Sequence, residues 1–200
     1  MLGSGGTSLE EDILTKYKIF CHDSSERILK DVTNCTGTIH EEAGTTVQGI
    51  DYGCFIKAQG STFTIDFSIF FSSNLAMALV PKALPWEPNP TQGMAISLFD
   101  EYTNMMIATI KKSLEHVDFL NLETPKVSKI KGNEVTLLGS VTKYQKNEKK
   151  ALMRDSWKIN LEAGSVFNHL RTDVLDYNKF AKGNFESYSE ANMGGQVILI

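Results

Sequence analysis

Cysteine is scarce in this chain: three residues, an odd number, with no two arranged as C-x-x-C. That excludes a disulfide framework and a paired-cysteine zinc site, and it fits a reducing cytoplasm. An excess of positive charge is missing too. The sequence carries 20 Lys+Arg against 24 Asp+Glu, a net charge of -4. Nonspecific nucleic-acid binding runs on a basic surface and is therefore excluded. No apolar run reaches the roughly 18 residues that a membrane span takes, so a membrane partner is not expected. His22, His40, His116 and His169 are scattered without metal-ligand spacing. A glycine-rich phosphate loop is also lacking, because Gly194-Gly195 precedes a strand pattern rather than a helix. Residues 1–8 are Gly/Ser-rich without a basic or apolar targeting region, and are expected to form a disordered lead-in.

What the chain has is ordinary globular material: 200 residues, 42% of them hydrophobic. That suffices for one well-packed core without staples. The expected domain covers residues 9–175, with 176–200 a C-terminal extension of uncertain structure.

Ser8-Leu9-Glu10-Glu11 reads as a capping box. Apolar residues at helical spacing follow from Ile13 to Cys35, predicting an amphipathic helix over 9–35 that closes near Gly37, with a polar middle at Cys21–Ser25 that could kink. Alternation over Gly49–Lys57 and Thr62–Phe71, around Gln59-Gly60-Ser61, predicts a hairpin with one core-facing side. Ser72 can cap a short helix, Leu75–Val80, stopped by Pro81. Four of the five prolines fall at 81, 85, 88 and 90, predicting a stiff connector through Trp86. A second long helix is expected over Thr91–Val117. Strands are then expected at Lys126–Lys131, Glu134–Val141, Leu152–Leu161 and Val166–Val174, with Lys143–Lys150 a charged hairpin loop and Gln196–Ile200 a short strand. The fold class is α/β, in α+β layers: long helices packed on a mainly antiparallel sheet.

The second long helix has a polar stripe. Ser97, Glu101, Asn104, Ala108, Lys111 and Glu115 are spaced 4, 3, 4, 3, 4, which puts them on one face opposite the apolar one. Glu101 and Asn104 then project side by side. A carboxylate offers charge and acceptors; a carboxamide offers a donor and an acceptor. Asn cannot act as a general base, but it can orient a water. By itself such a pair is an ordinary solvated helix face.

The surrounding residues add to this. Ser97-x3-Glu101-x2-Asn104 on a long helix, followed by Pro125 at a strand start, resembles the phosphatase signature of the CheC/CheX/FliY family. The stretch Glu101-Tyr102-Thr103-Asn104-Met105-Met106-Ile107-Ala108 is similar to that family's helix, and Leu122-Glu123-Thr124-Pro125-Lys126-Val127 to its strand start. The resemblance covers about residues 9–142. Pro125 lies slightly closer to Asn104 than the family pattern places it, and Thr109 stands where a glycine is common. A single copy of the motif resembles the CheX branch rather than CheC.

The resemblance implies a fold with two long exposed helices, and a phosphatase acting on a phosphorylated CheY-like receiver domain in chemotaxis. Carried over, Glu101 would be the docking carboxylate and Asn104 the group that positions water. Ser97, Ala108 and Lys111 would flank them in the partner-binding face. No cofactor is expected on this chain itself, since the receiver would supply the Mg²⁺. The alternative is a non-catalytic, CheC-like binding or scaffold module of the chemotaxis or flagellar switch system. The family also implies a homodimer through a continued sheet. The candidate edges are the strand Thr62–Phe71, with its strongly apolar face, and late strands such as Leu152–Leu161, which lack obvious edge protection; a monomer capped by its own C-terminal run is the rival.

Overall fold

The structure is a computed structural model that describes residues 9–42 and 44–186. The lead-in of residues 1–8 and the strand expected at 196–200 lie outside the described residues. In chain order the elements are α1 (Leu9–Thr33), β1 (Thr38–Glu41), β2 (Thr46–Gln48), β3 (Tyr52–Gln59), β4 (Phe63–Phe71), α2 (Ser73–Ala83), α3 (Gln92–Leu114), β5 (Asn121–Leu122), β6 (Lys126–Lys129), β7 (Glu134–Thr136), β8 (Val141–Gln145), β9 (Lys150–Leu161), β10 (Gly164–Val174) and α4 (Tyr177–Phe180). The architecture is the expected one: helices on an antiparallel sheet.

Four long strands make the centre of the sheet, in the order β9-β10-β4-β3. β1 and β8 share the outer side of β9, and β5 and β6 share the outer side of β3. Period-2 alternation explains the layering. Phe63, Ile65, Phe67, Ile69 and Phe71 of β4 point into the main core beneath α1, α2 and α3. Phe70 points the other way, into a smaller cluster with Ile50 and Leu137. That second cluster lies where the two-stranded β2-β7 sheet packs.

Several expectations are corrected by tertiary context. The first helix ends at Thr33, not 35, because Asn34 takes a left-handed conformation (φ 56°) and its N–H returns to Lys30 O at 2.7 Å. Asparagine tolerates that conformation and so ends the helix ahead of Gly37. The polar middle of α1 forms continuous helix: His22 and Ser25 meet Asp155 and Trp157 across the core, whereas the buried Ser24 hydroxyl has no partner among the described residues. Pro81 does not stop α2, which runs on to Ala83. In the last turn a proline forfeits a single hydrogen bond, and Leu84 N still bonds Val80 O at 2.8 Å. The stretch expected as one strand, Glu134–Val141, divides between two sheets: β7 pairs β2, and Val141 opens β8 on β9. The charged loop is correspondingly shorter, since Val141–Gln145 is strand.

Both candidate edge strands are interior. β4 lies between β10 and β3, and β9 between β10 and the pair β1 and β8. Short strands that carried little periodic signal supply the covering. Residues 176–186 pack on the core: Tyr177 and Phe180 are buried, and Phe180 and Phe185 meet the Tyr17 ring at 5.1 and 5.0 Å between centroids.

Candidate functional site

α3 begins at a side-chain cap: Thr91 Oγ1 accepts from Met94 N at 3.3 Å. Its apolar face then buries Leu98, Phe99, Tyr102, Met106, Ile107, Ile110 and Leu114 against the sheet. Met94 and Met105 sit at the margin of the core. Phe99 stacks on Phe71 of β4, with ring centroids 3.9 Å apart and planes 16° from parallel. The Tyr102 hydroxyl donates to Asn168 Oδ1 of β10 at 2.7 Å, deep in the core. Burial drives the Tyr102 phenol far above its ordinary range, so it stays a donor at any working pH.

These contacts fix the rotation of α3 about its axis. Residues on the opposite side must then face outward, and they do: Ser97, Ala108 and Glu115 are exposed, and Glu101, Asn104 and Lys111 half-buried. Among the described residues, no hydrogen bond or ion pair engages the Glu101 or Asn104 side chain. Asp100, just beside the stripe, accepts from the Cys54 thiol at 3.5 Å. Burial foremost, with Asp100 adding to it, pushes that thiol up to about 12, so it remains protonated.

Tyr102→Phe should lower stability by about 1–2 kcal/mol, because it leaves Asn168 a buried polar group without a partner. Asn168 Nδ2 already lacks one. Urea unfolding with an unchanged midpoint would show that the hydroxyl contributes nothing to holding α3.

The site lies on the outward face of a helix. A cavity of about 230 Å³ lies elsewhere, between the end of α1 and the β9–β10 turn, lined among others by Asn34, Cys35, Lys82 and Glu162. No group of three or more His, Cys, Asp or Glu able to hold a metal ion occurs among the described residues. None of their helices is long and apolar enough to cross a membrane.

One polar cluster escaped the sequence reading. His22 Nε2 lies 2.6 Å from Asp155 Oδ2, the Ser140 hydroxyl donates to Asp155 Oδ1, and Lys18 Nζ is 3.5 Å from the same oxygen. The His22 ring lies against Trp157, whose Nε1 donates to Ser25 Oγ at 2.9 Å. This order is not that of a hydrolytic triad, where histidine must lie between serine and aspartate. Its signal in the sequence was an acidic residue at a core-facing position of β9, opposite the polar middle of α1.

Sheet, helix order and an outward-facing polar helix stripe together define one class of α/β protein, the CheC/CheX-like fold. The chain is similar to a CheC-like superfamily protein from Shewanella sp. PV-4, at 18% identity over 78% of this chain and 97% of that one, with a TM-score of 0.58. It is equally similar to the chemotaxis protein CheX from Vibrio vulnificus, at 18% identity over 80% of this chain and 99% of that one, TM-score 0.57. CheX in a CheX–CheY–BeF3–Mg complex from Borrelia burgdorferi aligns at 14% identity over 79% of this chain and 97% of that one, TM-score 0.53. At such identities what is shared is the fold. No family model matches the sequence, and no curated protein matches it significantly.

Proposed function

We propose that this protein is a CheX-like chemotaxis phosphatase that removes the phosphoryl group from a phosphorylated CheY-like receiver domain. One observation carries the reading. Glu101 and Asn104 stand one turn apart at the middle of the helix face opposite the core, partly exposed and without partners of their own. An unpartnered carboxylate and carboxamide so placed are available to another molecule. The CheX of the Borrelia complex was crystallised with CheY carrying BeF3 and Mg²⁺, which supports a receiver as partner.

In this reading Glu101 pairs with a lysine of the receiver, which seats α3 over the phosphorylated aspartate. Asn104 enters the receiver's site and holds a water in line with the phosphorus–oxygen bond. The water oxygen attacks phosphorus, the bond to the aspartate oxygen breaks with its electron pair staying on the receiver's regenerated carboxylate, and inorganic phosphate leaves carrying both water protons. The Mg²⁺ that the receiver brings neutralises charge on the phosphoryl oxygens. Such a step needs positioning and charge neutralisation rather than a covalent catalyst.

The test is loss of acyl phosphate from a panel of phosphorylated receivers, with and without this protein. Tight binding with no acceleration would replace catalysis by the scaffold role. Glu101→Lys should raise KM by about tenfold or more, since it turns an ion pair into a like-charge clash. Added salt should weaken the wild type and spare the variant. An unchanged KM would remove Glu101 from the interface.

A homodimer belongs to the same reading. With β4 and β9 interior, the sheet can continue only from its short outer strands. Among the described residues these are β1 and β8 on one side and β5 and β6 on the other. Light scattering that gives about 22 kDa, the mass of one chain, at every concentration would overturn the dimer.

A further inference from the structure

Phe119 is 74% exposed, the largest exposure among the big apolar side chains of the described residues. It stands on a firm base. Leu120 beside it is buried. On the other side Asp118 is held by three hydrogen bonds: from Thr62 N at 2.6 Å, Ser61 Oγ at 3.0 Å and Phe119 N at 2.9 Å. Burial pushes the Asp118 carboxyl up, but those bonds outweigh it and hold it below the usual carboxylate range. Lys111 Nζ, from the polar stripe of α3, lies 5.3 Å from the centre of the Phe119 ring. A rigid aromatic with a cation over it is the kind of side chain that anchors protein interfaces.

Distance decides which surface it serves. Lys111 is seven residues beyond Asn104, roughly 10 Å along the helix axis. An interface that buries about 800 Å² on each partner has a radius of roughly 16 Å. Centred on Asn104, it takes in Lys111 and reaches Phe119. Trp86, the other highly exposed aromatic, precedes the start of α3. No cation or ring contact ties it to the polar stripe among the described residues.

We propose that Phe119 and Lys111 form a second anchor for the receiver domain, in addition to Glu101 and Asn104; this rests on the phosphatase reading above. The ring fills an apolar depression on the receiver, and the Lys111 ammonium meets a carboxylate at its rim. With Glu101 for a lysine and Lys111 for a carboxylate, the α3 face presents both signs of charge to the partner. The anchor sets affinity and the choice among receivers, whereas Asn104 sets the rate of the chemical step.

The experiment titrates the full chain with a panel of CheY-type receivers loaded with BeF3 and Mg²⁺, and separately measures phosphate release at saturation. For a receiver that the wild type serves, Phe119→Ala should raise Kd and KM by about 30-fold with kcat within about twofold. Lys111→Met, which keeps the aliphatic stem against the ring, should flatten the salt dependence of Kd. The melting temperature of Phe119→Ala should not move. A Kd within twofold of wild type for Phe119→Ala, while Asn104→Ala loses turnover, overturns the anchor and leaves the phosphatase reading standing. A large fall in melting temperature for Phe119→Ala would make Phe119 a structural residue and likewise overturn the anchor. A wild type that neither binds nor dephosphorylates any receiver removes both.

Discussion

Replacing Asn104 with alanine should cost at least about 100-fold in the rate of receiver dephosphorylation, with the melting temperature moving by no more than about 2 °C. The size of the loss follows from what the carboxamide does in the proposed reaction. Groups aimed at a reacting centre are worth about 100- to 1,000-fold when one is deleted, and a water that is no longer held in line loses its orientation advantage. The thermal result follows from position. Asn104 makes no bond within the described chain, and alanine has the higher helix propensity, so the exchange is neutral or slightly stabilising. Binding to a BeF3-loaded receiver should persist in the variant, since Glu101 remains. Two measurements bear on this, single-turnover phosphate release and a thermal melt. A melt many degrees lower, or a rate within a few-fold of wild type, would remove Asn104 from its assigned role.

The largest effect on stability should come from Asp155→Ala, at about 3 kcal/mol. Asp155 is 1% exposed and is met by His22, Ser140 and Lys18. Its removal strips His22 and Ser140 of their partner and leaves Lys18 with Glu41 at 3.0 Å, and breaking a buried charged pair from one side typically costs that much. The cluster also gives folding a pH dependence. Burial pushes the Asp155 carboxyl up, but the hydrogen bonds from His22 and Ser140 and the attraction of His22 and Lys18 bring it below its ordinary value of 3.8. A depressed folded value means that the stabilisation is fully present above the unfolded carboxyl range, and is lost as pH falls through the folded value. The gap between wild type and Asp155→Ala in urea unfolding should therefore be full at pH 7 and close below about pH 4. A gap that stays constant down to pH 2 would mean that the ionised form is not what the cluster stabilises.

The candidate site was legible in the sequence to an unusual degree, and for a local reason. A single helix carries it. Apolar residues at helical spacing and the offsets from Ser97 to Glu115 state within one segment which face is buried and which is presented. The β3–β4 hairpin was legible on similar grounds, since strict alternation around Gly60 allows one register. The second anchor was not legible. Nothing in the sequence brings Phe119 to Lys111; that takes the turn pinned through Asp118 to Ser61 and Thr62, more than fifty positions earlier in the chain.

What the amino-acid sequence determined by itself was whatever repeats with the period of one element: two long amphipathic helices, an alternating hairpin, and a polar stripe at the middle of α3. Periodicity is a property of consecutive residues, so no partner is needed to see it. Everything that depends on what lies across a gap in the chain was decided by the tertiary structure. Whether β4 and β9 are edges depends on β10, β1 and β8 arriving beside them. Whether the polar middle of α1 kinks depends on Asp155 and Trp157 waiting opposite. Whether residues 134–141 make one strand or two depends on which sheet each end can pair with. Backbone donors and acceptors must find partners wherever the fold places them, and a local pattern names the groups to be satisfied without naming their partners.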